Sequence, residues 1–311
     1  MNQIGSISGS KLRLSQTSGE MKVATGLAIL WILAIAIMAL GVIATGSNPF
    51  EQVLGSRRIP PIWFEWLGLS NVSDTSHLFG TDKLGRDYLA RIFLGGGVSL
   101  LICFSAVGIA AMIGTTLGAI AGYFGGRVDA CLLFFLSVRL SVPAILIALV
   151  SAVLFGSSLI MIIVILGALL WDRFFVVVRS LVRTQSKLGY VDAAKEAGAS
   201  TAWIIAREIG PNIRGPLLVI VTVEMAHVLL LEASLSFLGL GVQPPLPSWG
   251  LMLSEAKEDI FFNGWMIIIP GLFIFALVFS INIISELLRI SITRSQGRRG
   301  QVGMTNTEIT R

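Results

Sequence analysis

The stretch Val98-Ser99-Leu100-Leu101-Ile102-Cys103-Phe104-Ser105-Ala106-Val107-Gly108-Ile109-Ala110-Ala111-Met112-Ile113-Gly114-Thr115-Thr116-Leu117-Gly118-Ala119-Ile120-Ala121 carries no charged side chain. A helix needs about 20 such residues to cross the ~30 Å hydrocarbon core of a bilayer. Within lipid, only a helix or a closed barrel satisfies every backbone polar group. The run lacks the strict polar/apolar alternation of a barrel strand, so a transmembrane helix is expected. Five more apolar runs lie on either side: Val23 to Ala44, Val128 to Leu154, Leu159 to Val178, Leu217 to Leu235 and Trp265 to Leu288. These runs predict an all-α integral membrane protein with about six transmembrane helices. Only Phe155 to Ser158 separate the third run from the fourth, which predicts an antiparallel hairpin.

Composition agrees. Hydrophobic residues make up 54% of the 311 and charged residues 13%. Soluble domains carry about 25% charged residues, so an ordinary cytosolic enzyme is excluded. The first run is longer than a signal-peptide core and reads as a retained span. With the N-terminus inside, fifteen Lys and Arg fall in inner segments and six in outer ones, with Arg139 and Arg173 inside spans. That bias follows the positive-inside rule and puts both termini in the cytoplasm. It also accounts for the net charge of +5 without nucleic-acid binding. The expected divisions are a cytoplasmic tail (1–22), a first span (23–45), an extracytoplasmic segment (46–97), a permeation core (98–290) enclosing a cytoplasmic loop (180–216), and a second polar, unstructured cytoplasmic tail (291–311). In the outer segment, Trp63 and Trp66 suit a piece lying on the outer leaflet.

There is no GxxxxGK[ST] phosphate loop, no HExxH and no GxSxG elbow, so no catalytic residue, cofactor site or metal site is assigned. Cys103 and Cys131 lie in apolar stretches and read as small buried hydrophobes.

The inner loop is the most informative segment. Asp192-Ala193-Ala194-Lys195-Glu196-Ala197-Gly198 reads as a short helix with a smooth alanine face, stopped by a glycine free to turn left-handed. Ser200 caps a second helix, whose apolar side is Ile204, Ile205 and Ile209. Pro211 interrupts its continuation. A small-residue face suits close docking into another protein; the alternative is a hairpin that only links two spans.

Charged groups in spans usually face a cavity or a partner. Arg139, Glu224 and His227 are the candidates for a polar translocation path, Glu224 and His227 being three apart on one helix face. Asp172 is expected to pair with Arg179 or Arg173, and Glu232 to sit hydrated at the outer interface. Gly114, Gly118 and Gly122 recur every fourth residue, a spacing that lets helices approach closely; packing within the chain is expected.

The inner loop resembles the cytoplasmic EAA loop of binding-protein-dependent ABC importer permeases. Asp192-Ala193-Ala194, Gly198 and Ile209-Gly210-Pro211 match its frame, with Asp for Glu at 192 and Gly for Leu at 210. His77 to Arg91 (HLFGTDKLGRDYLAR) and Glu232 to Gly250 (EASLSFLGLGVQPPLPSWG) resemble the C-type permease of the dipeptide, oligopeptide and nickel importers. Gly239, Gly241, Pro244, Pro245, Trp249 and Gly250 carry the second likeness. Ser137 stands where that family usually has an acid, and its usual Asp-Pro near Ser291 is absent. The resemblance implies a type I importer permease fold and a multi-pass protein of the bacterial inner membrane. Its implied partners are a second permease in a heterodimer, two ATPase subunits carrying the ATP and Mg, and an extracytoplasmic substrate-binding protein. Short peptides lead as cargo, with nickel, another metal chelate or an opine-like solute as alternatives. From another class, a stand-alone secondary carrier or a membrane-embedded enzyme competes.

Overall fold

The computed structural model describes residues 25–26, 29–35, 37, 39–42, 48–66, 68 and 77–308, with side chains up to 292. The expected tail 1–22 lies outside the described residues, as do parts of the first span and of the outer segment. What is described of the first span is an apolar helix, α1 (Ile29–Val42). Ile35 and Ala39 are buried on its inner side, and Trp31 packs on Phe273 with ring centroids 5.4 Å apart.

A short helix, α2 (Trp63–Trp66), follows, with Trp63 edge-on to Phe79. Next comes α3 (Tyr88–Phe124), 37 residues long and the axis of the core. It starts ten residues before the apolar run because Asp87 caps it, accepting from the Ala90 amide. The third expected span is broken: α4 (Gly126–Leu140) and α5 (Ala144–Phe155) meet at 80°. Pro143 has no amide hydrogen to give and turns the residue before it away from helical backbone. The hairpin follows, into α6 (Leu159–Leu169) and α7 (Asp172–Gln185), which together make one span of 27 residues.

In the loop expected on the inner side, α8 (Gly189–Glu196) is short. Helix α9 (Thr201–Trp203) passes through a π-helical turn, Ile204–Ile209, into α10 (Gly210–Phe237). The second short helix of the loop is therefore continuous with the fifth span, contrary to the interruption expected at Pro211. The wider turn sends the Gly210 amide back to Ile205 O, and Pro211 sits at the start of α10, where its missing amide costs little. After the outer loop come α11 (Trp249–Glu255) and α12 (Trp265–Glu308), which runs past the boundary expected at 290.

Among the described residues, four helices are long and apolar enough to span a bilayer, and the bent pair makes five. Helices α3, α6, α7, α10 and α12 surround the main core, and the only β-structure among the described residues is an isolated bridge, Thr81 to Asp87. The glycine series on α3 seats α7: a Cβ on Gly114, Gly118 or Gly122 would meet Trp171 O, Phe175 O or Arg179 O at 2.3, 2.7 and 2.5 Å. The expected packing within the chain is what these glycines do.

Candidate functional site: a small-residue loop, a charged belt and an outer cap

The inner loop is built from a second, smaller core. Val191 of α8, Ile204 and Ile209 of the π-helical turn and Ile213 of α10 bury against Ala119 of α3 and Val178 and Val182 of α7. Gly198 has φ +79°, a backbone that glycine takes without cost. Its amide closes on Lys195 O at 2.9 Å. Ser200 caps α9, accepting from the Trp203 amide at 3.3 Å. With Val191 turned in, Asp192, Ala193 and Ala197 are exposed and Ala194 is half-buried. Ala194, Ala197 and Gly198 line a shallow hollow of ≈ 590 Å³, with Tyr190, Trp203 and Glu208 at its sides. Of the loop residues singled out in the sequence, Asp192, Ala193, Ala194, Ala197 and Gly198 form this outward surface. Ile209 and Pro211 belong to the joint that fixes it to the span. Lys195 reaches Asp192 at 3.0 Å, and that hydrogen bond raises its pKa.

Among the spans, the charged residues divide into separate groups. Arg139 of α4 donates to Leu169 O at 3.0 and 2.7 Å and pairs with Asp172 at 3.1 Å. It bridges the interruption between α6 and α7, covering a carbonyl left free at a helix end. The expected Asp172 pairing with Arg179 or Arg173 is thus replaced by Arg139. Arg179 is taken by Asp129, with Nη2 to Oδ2 at 2.5 Å. The second group holds Glu224 and His227, 3.3 Å apart, and Arg173, whose Nη1 stands 2.9 Å from Glu224 Oε1. That contact is an ion pair without hydrogen-bond alignment. Glu224 is 1% exposed and the Arg173 side chain 51%. Arg139 is therefore set apart from Glu224 and His227, and Arg173, noted in the sequence as a charge inside a span, is the arginine that pairs with Glu224. Helical spacing within the apolar run was the available signal. Glu232, expected to be wet, is 1% exposed and accepts from Ser236 Oγ at 2.7 Å. It lies one helical turn deeper than the loop whose water it was expected to share.

At the end expected outside, the first family-like stretch meets α11. Asp82 accepts from the amides of Leu84 at 2.8 Å and Arg86 at 3.0 Å, from Arg86 Nε at 2.5 Å and from Arg91. Arg91 also reaches Glu255 at 2.8 Å, and Arg86 the same carboxylate at 3.2 Å. Burial alone would raise the Asp82 pKa, but Arg91, Arg86 and the two amides hold it below the ordinary carboxylate value. In the loop, Gly239 has φ +83°. A Cβ on Gly241 would strike Ser236 Oγ at 1.8 Å, and one on Gly250 would meet Ala233 Cα at 2.7 Å. Pro244 and Pro245 are joined by a cis peptide. Trp249 is fully buried and its indole N–H donates to Ile92 O at 2.8 Å. These residues are the mortar that sets α11 between α3 and α10.

The comparisons with known proteins agree with this architecture. Residues 114–294 match the family described as binding-protein-dependent transport system inner membrane component. The chain is 36% identical over 213 residues to the oligopeptide transport system permease protein OppC of Haemophilus influenzae, covering 68% of each chain. It is 34% identical to the di/tripeptide transport system permease protein DppC of Pseudomonas aeruginosa, covering 78% of each. It is 32% identical to the glutathione transport system permease protein GsiD of Pectobacterium atrosepticum, covering 87% of this chain and 85% of that one. Among solved structures, a chain of the inward-facing MetNI methionine ABC transporter superposes with a TM-score of 0.51 at 15% identity, covering 64% of this chain and 95% of that one; at that identity the likeness speaks for the fold alone. The match to the family runs over the glycine series of α3, the charged belt, the inner loop and the outer signature, so this chain belongs to the binding-protein-dependent transport system inner membrane components.

Proposed function

We propose that this chain is one of two permease subunits of an ATP-driven importer that carries short peptides across the inner membrane by alternating access. The relatives' names speak for oligopeptides, di- and tripeptides and glutathione. ATP and Mg would sit on two ATPase subunits below the membrane. A substrate-binding protein would deliver cargo to the outer surface, and no bond chemistry would occur in this chain. Both termini would be cytoplasmic.

One observation carries the coupling role. The exposed alanine face of α8 is joined through Gly198 to a helix that continues, without a gap, from Thr201 to Phe237. A push on the loop is then a push on a span that carries Glu224 and His227, and packed helices move as largely rigid bodies. A loop that merely connected two spans would need no such continuity.

The test is the Gly198→Arg variant in the complete complex, with uptake of a radiolabelled tripeptide and ATP hydrolysis measured together. The variant should remain in the membrane while uptake falls about tenfold or more, as expected when a long charged side chain blocks a close-fitting contact. Normal uptake would sink the coupling role. Normal insertion with the ATPases still bound and fully coupled would return the loop to a connector.

A further inference from the structure

We propose that Arg173 receives the carboxylate of the transported peptide, at the head of a polar stripe of α7 that lines the inward half of the translocation path. The proposal deepens the peptide-import reading and rests on it.

Two independent observations point there. The first is the shape of α7. Phe174, Phe175, Val178 and Val182 are fully buried on one side, against the glycines of α3. The opposite side of α7 presents Arg173, Val176, Ser180, Arg183 and Thr184, all exposed and all but Val176 polar, from mid-span to the cytoplasmic end, with Lys187 just beyond it. A lipid-facing helix has the reverse arrangement, and this molecule supplies examples: Ile160 of α6 and Leu272 and Phe275 of α12 are exposed and apolar. A polar stripe inside a membrane belongs against water or a partner.

The second is the state of Arg173 itself. It lies near the middle of the 27-residue span Leu159–Gln185, and its side chain is half-exposed. Glu224, almost wholly buried, stands 2.9 Å from Arg173 Nη1. Half of the Arg173 side-chain surface stays open beside that contact. A planar fork is the side chain best matched to a carboxylate, which it binds through two parallel hydrogen bonds. Arg183 and Lys187 extend the positive field toward the cytoplasm; Asp129 stands 3.6 Å from Arg183 but is already held by Arg179. The path therefore favours the anionic end of a peptide. Glu224 is a positioning residue: it is too deep to touch cargo and fixes the direction of Arg173. Arg139 has no such freedom, since Leu169 O and Asp172 occupy it.

The experiment uses the whole transporter complex in lipid nanodiscs without the binding protein. Equilibrium binding is measured for a tritiated tripeptide and for the same tripeptide as its C-terminal amide. Wild type should bind the free acid about tenfold more tightly, the scale of one charge-assisted contact. Arg173→Gln should bind both alike, and Arg173→Lys should keep part of the preference. A preference that persists in Arg173→Gln overturns the proposal. So does loss of the second permease from the Arg173→Gln complex, which would make the stripe a subunit interface. Equal binding of acid and amide by wild type, with peptide uptake intact once the binding protein is added, overturns the Arg173 role and leaves the import reading standing. If wild type neither binds nor takes up the peptide, both fall.

Discussion

At Gly114 the two helices that carry the inner half of the molecule touch through bare backbone. A Cβ there would lie 2.3 Å from Trp171 O and 2.5 Å from Phe174 Cβ, so Gly114→Val must push α7 off α3. Overpacking of this kind costs about 1–3 kcal/mol, and thermal unfolding in detergent should register a clear drop. Gly108, on the same helix, has nothing within 4 Å; Gly108→Ala should leave the midpoint unchanged or raise it slightly. The glycine spacing was legible in the sequence because small residues at every fourth position have one physical use. The partner of Arg139 was not legible, because it is chosen by the break at Leu170 and Trp171, which no periodicity marks. That partner changes what Arg139→Ala should do. Removing the guanidinium strands Asp172 and Leu169 O in the membrane, a loss on the order of 3 kcal/mol for a mostly buried pair, without touching the proposed preference for a free carboxylate. Arg139→Ala with Asp172→Ala should recover part of the lost stability, whereas a shift in acid-over-amide preference in the single variant would restore Arg139 to the path.

Among elements, the bent pair α4–α5 and the helix Thr201–Phe237 show opposite effects of proline. Pro143 opens an 80° bend, but Pro211 is absorbed because a π-helical turn precedes it and places it at a helix start. The amino-acid pattern of Ile204–Ile209 fits an ordinary helix, so the turn that rescues continuity was invisible until the backbone was seen. By contrast, Gly198 and Ser200 announced themselves through local chemistry alone: a left-handed stop and a hydroxyl cap. The outer cap is an element held by charge, and charge gives it a pH dependence. Asp82 has a folded pKa below its ordinary 3.8. Its contribution is fully present above that ordinary value and is lost as pH falls through the depressed one. The unfolding midpoint of wild type should therefore fall more steeply below about pH 4 than that of Asp82→Asn, which has no proton to take up there. Parallel acid limbs for the two proteins would mean that the cluster with Arg86, Arg91 and Glu255 contributes nothing to stability.

Over the whole molecule, the all-α membrane architecture was legible because lipid imposes a length on every crossing, although four span-length helices, five with the bent pair, stand among the described residues against about six expected. Their limits were not, since α3 gains its cap and first turns, Asp87 to Gly97, from polar outer-segment chemistry. Hydropathy also hid α7: the run that gave the fourth span ends at Val178, and the amphipathic continuation to Gln185 reads as loop to any scale that averages over both faces. The same charge bias that set the orientation can be tested with the structure's own landmarks. Phe261 and Phe262, 91% and 88% exposed, form the most exposed apolar tip among the described residues, between α11 and α12, which places them outside if the N-terminus is inside. Ser200 follows α8 in the loop expected on the opposite side. In a Cys131→Ala background, with Cys103 buried, Phe262→Cys should react with a membrane-impermeant maleimide in intact spheroplasts. Ser200→Cys should react only after the membrane is opened. Labelling of Ser200→Cys from outside would invert the molecule and move the alanine face of α8 away from any ATPase. A single labelling pattern thus decides whether the loop and the basic stripe of α7 open toward the side where nucleotide is available.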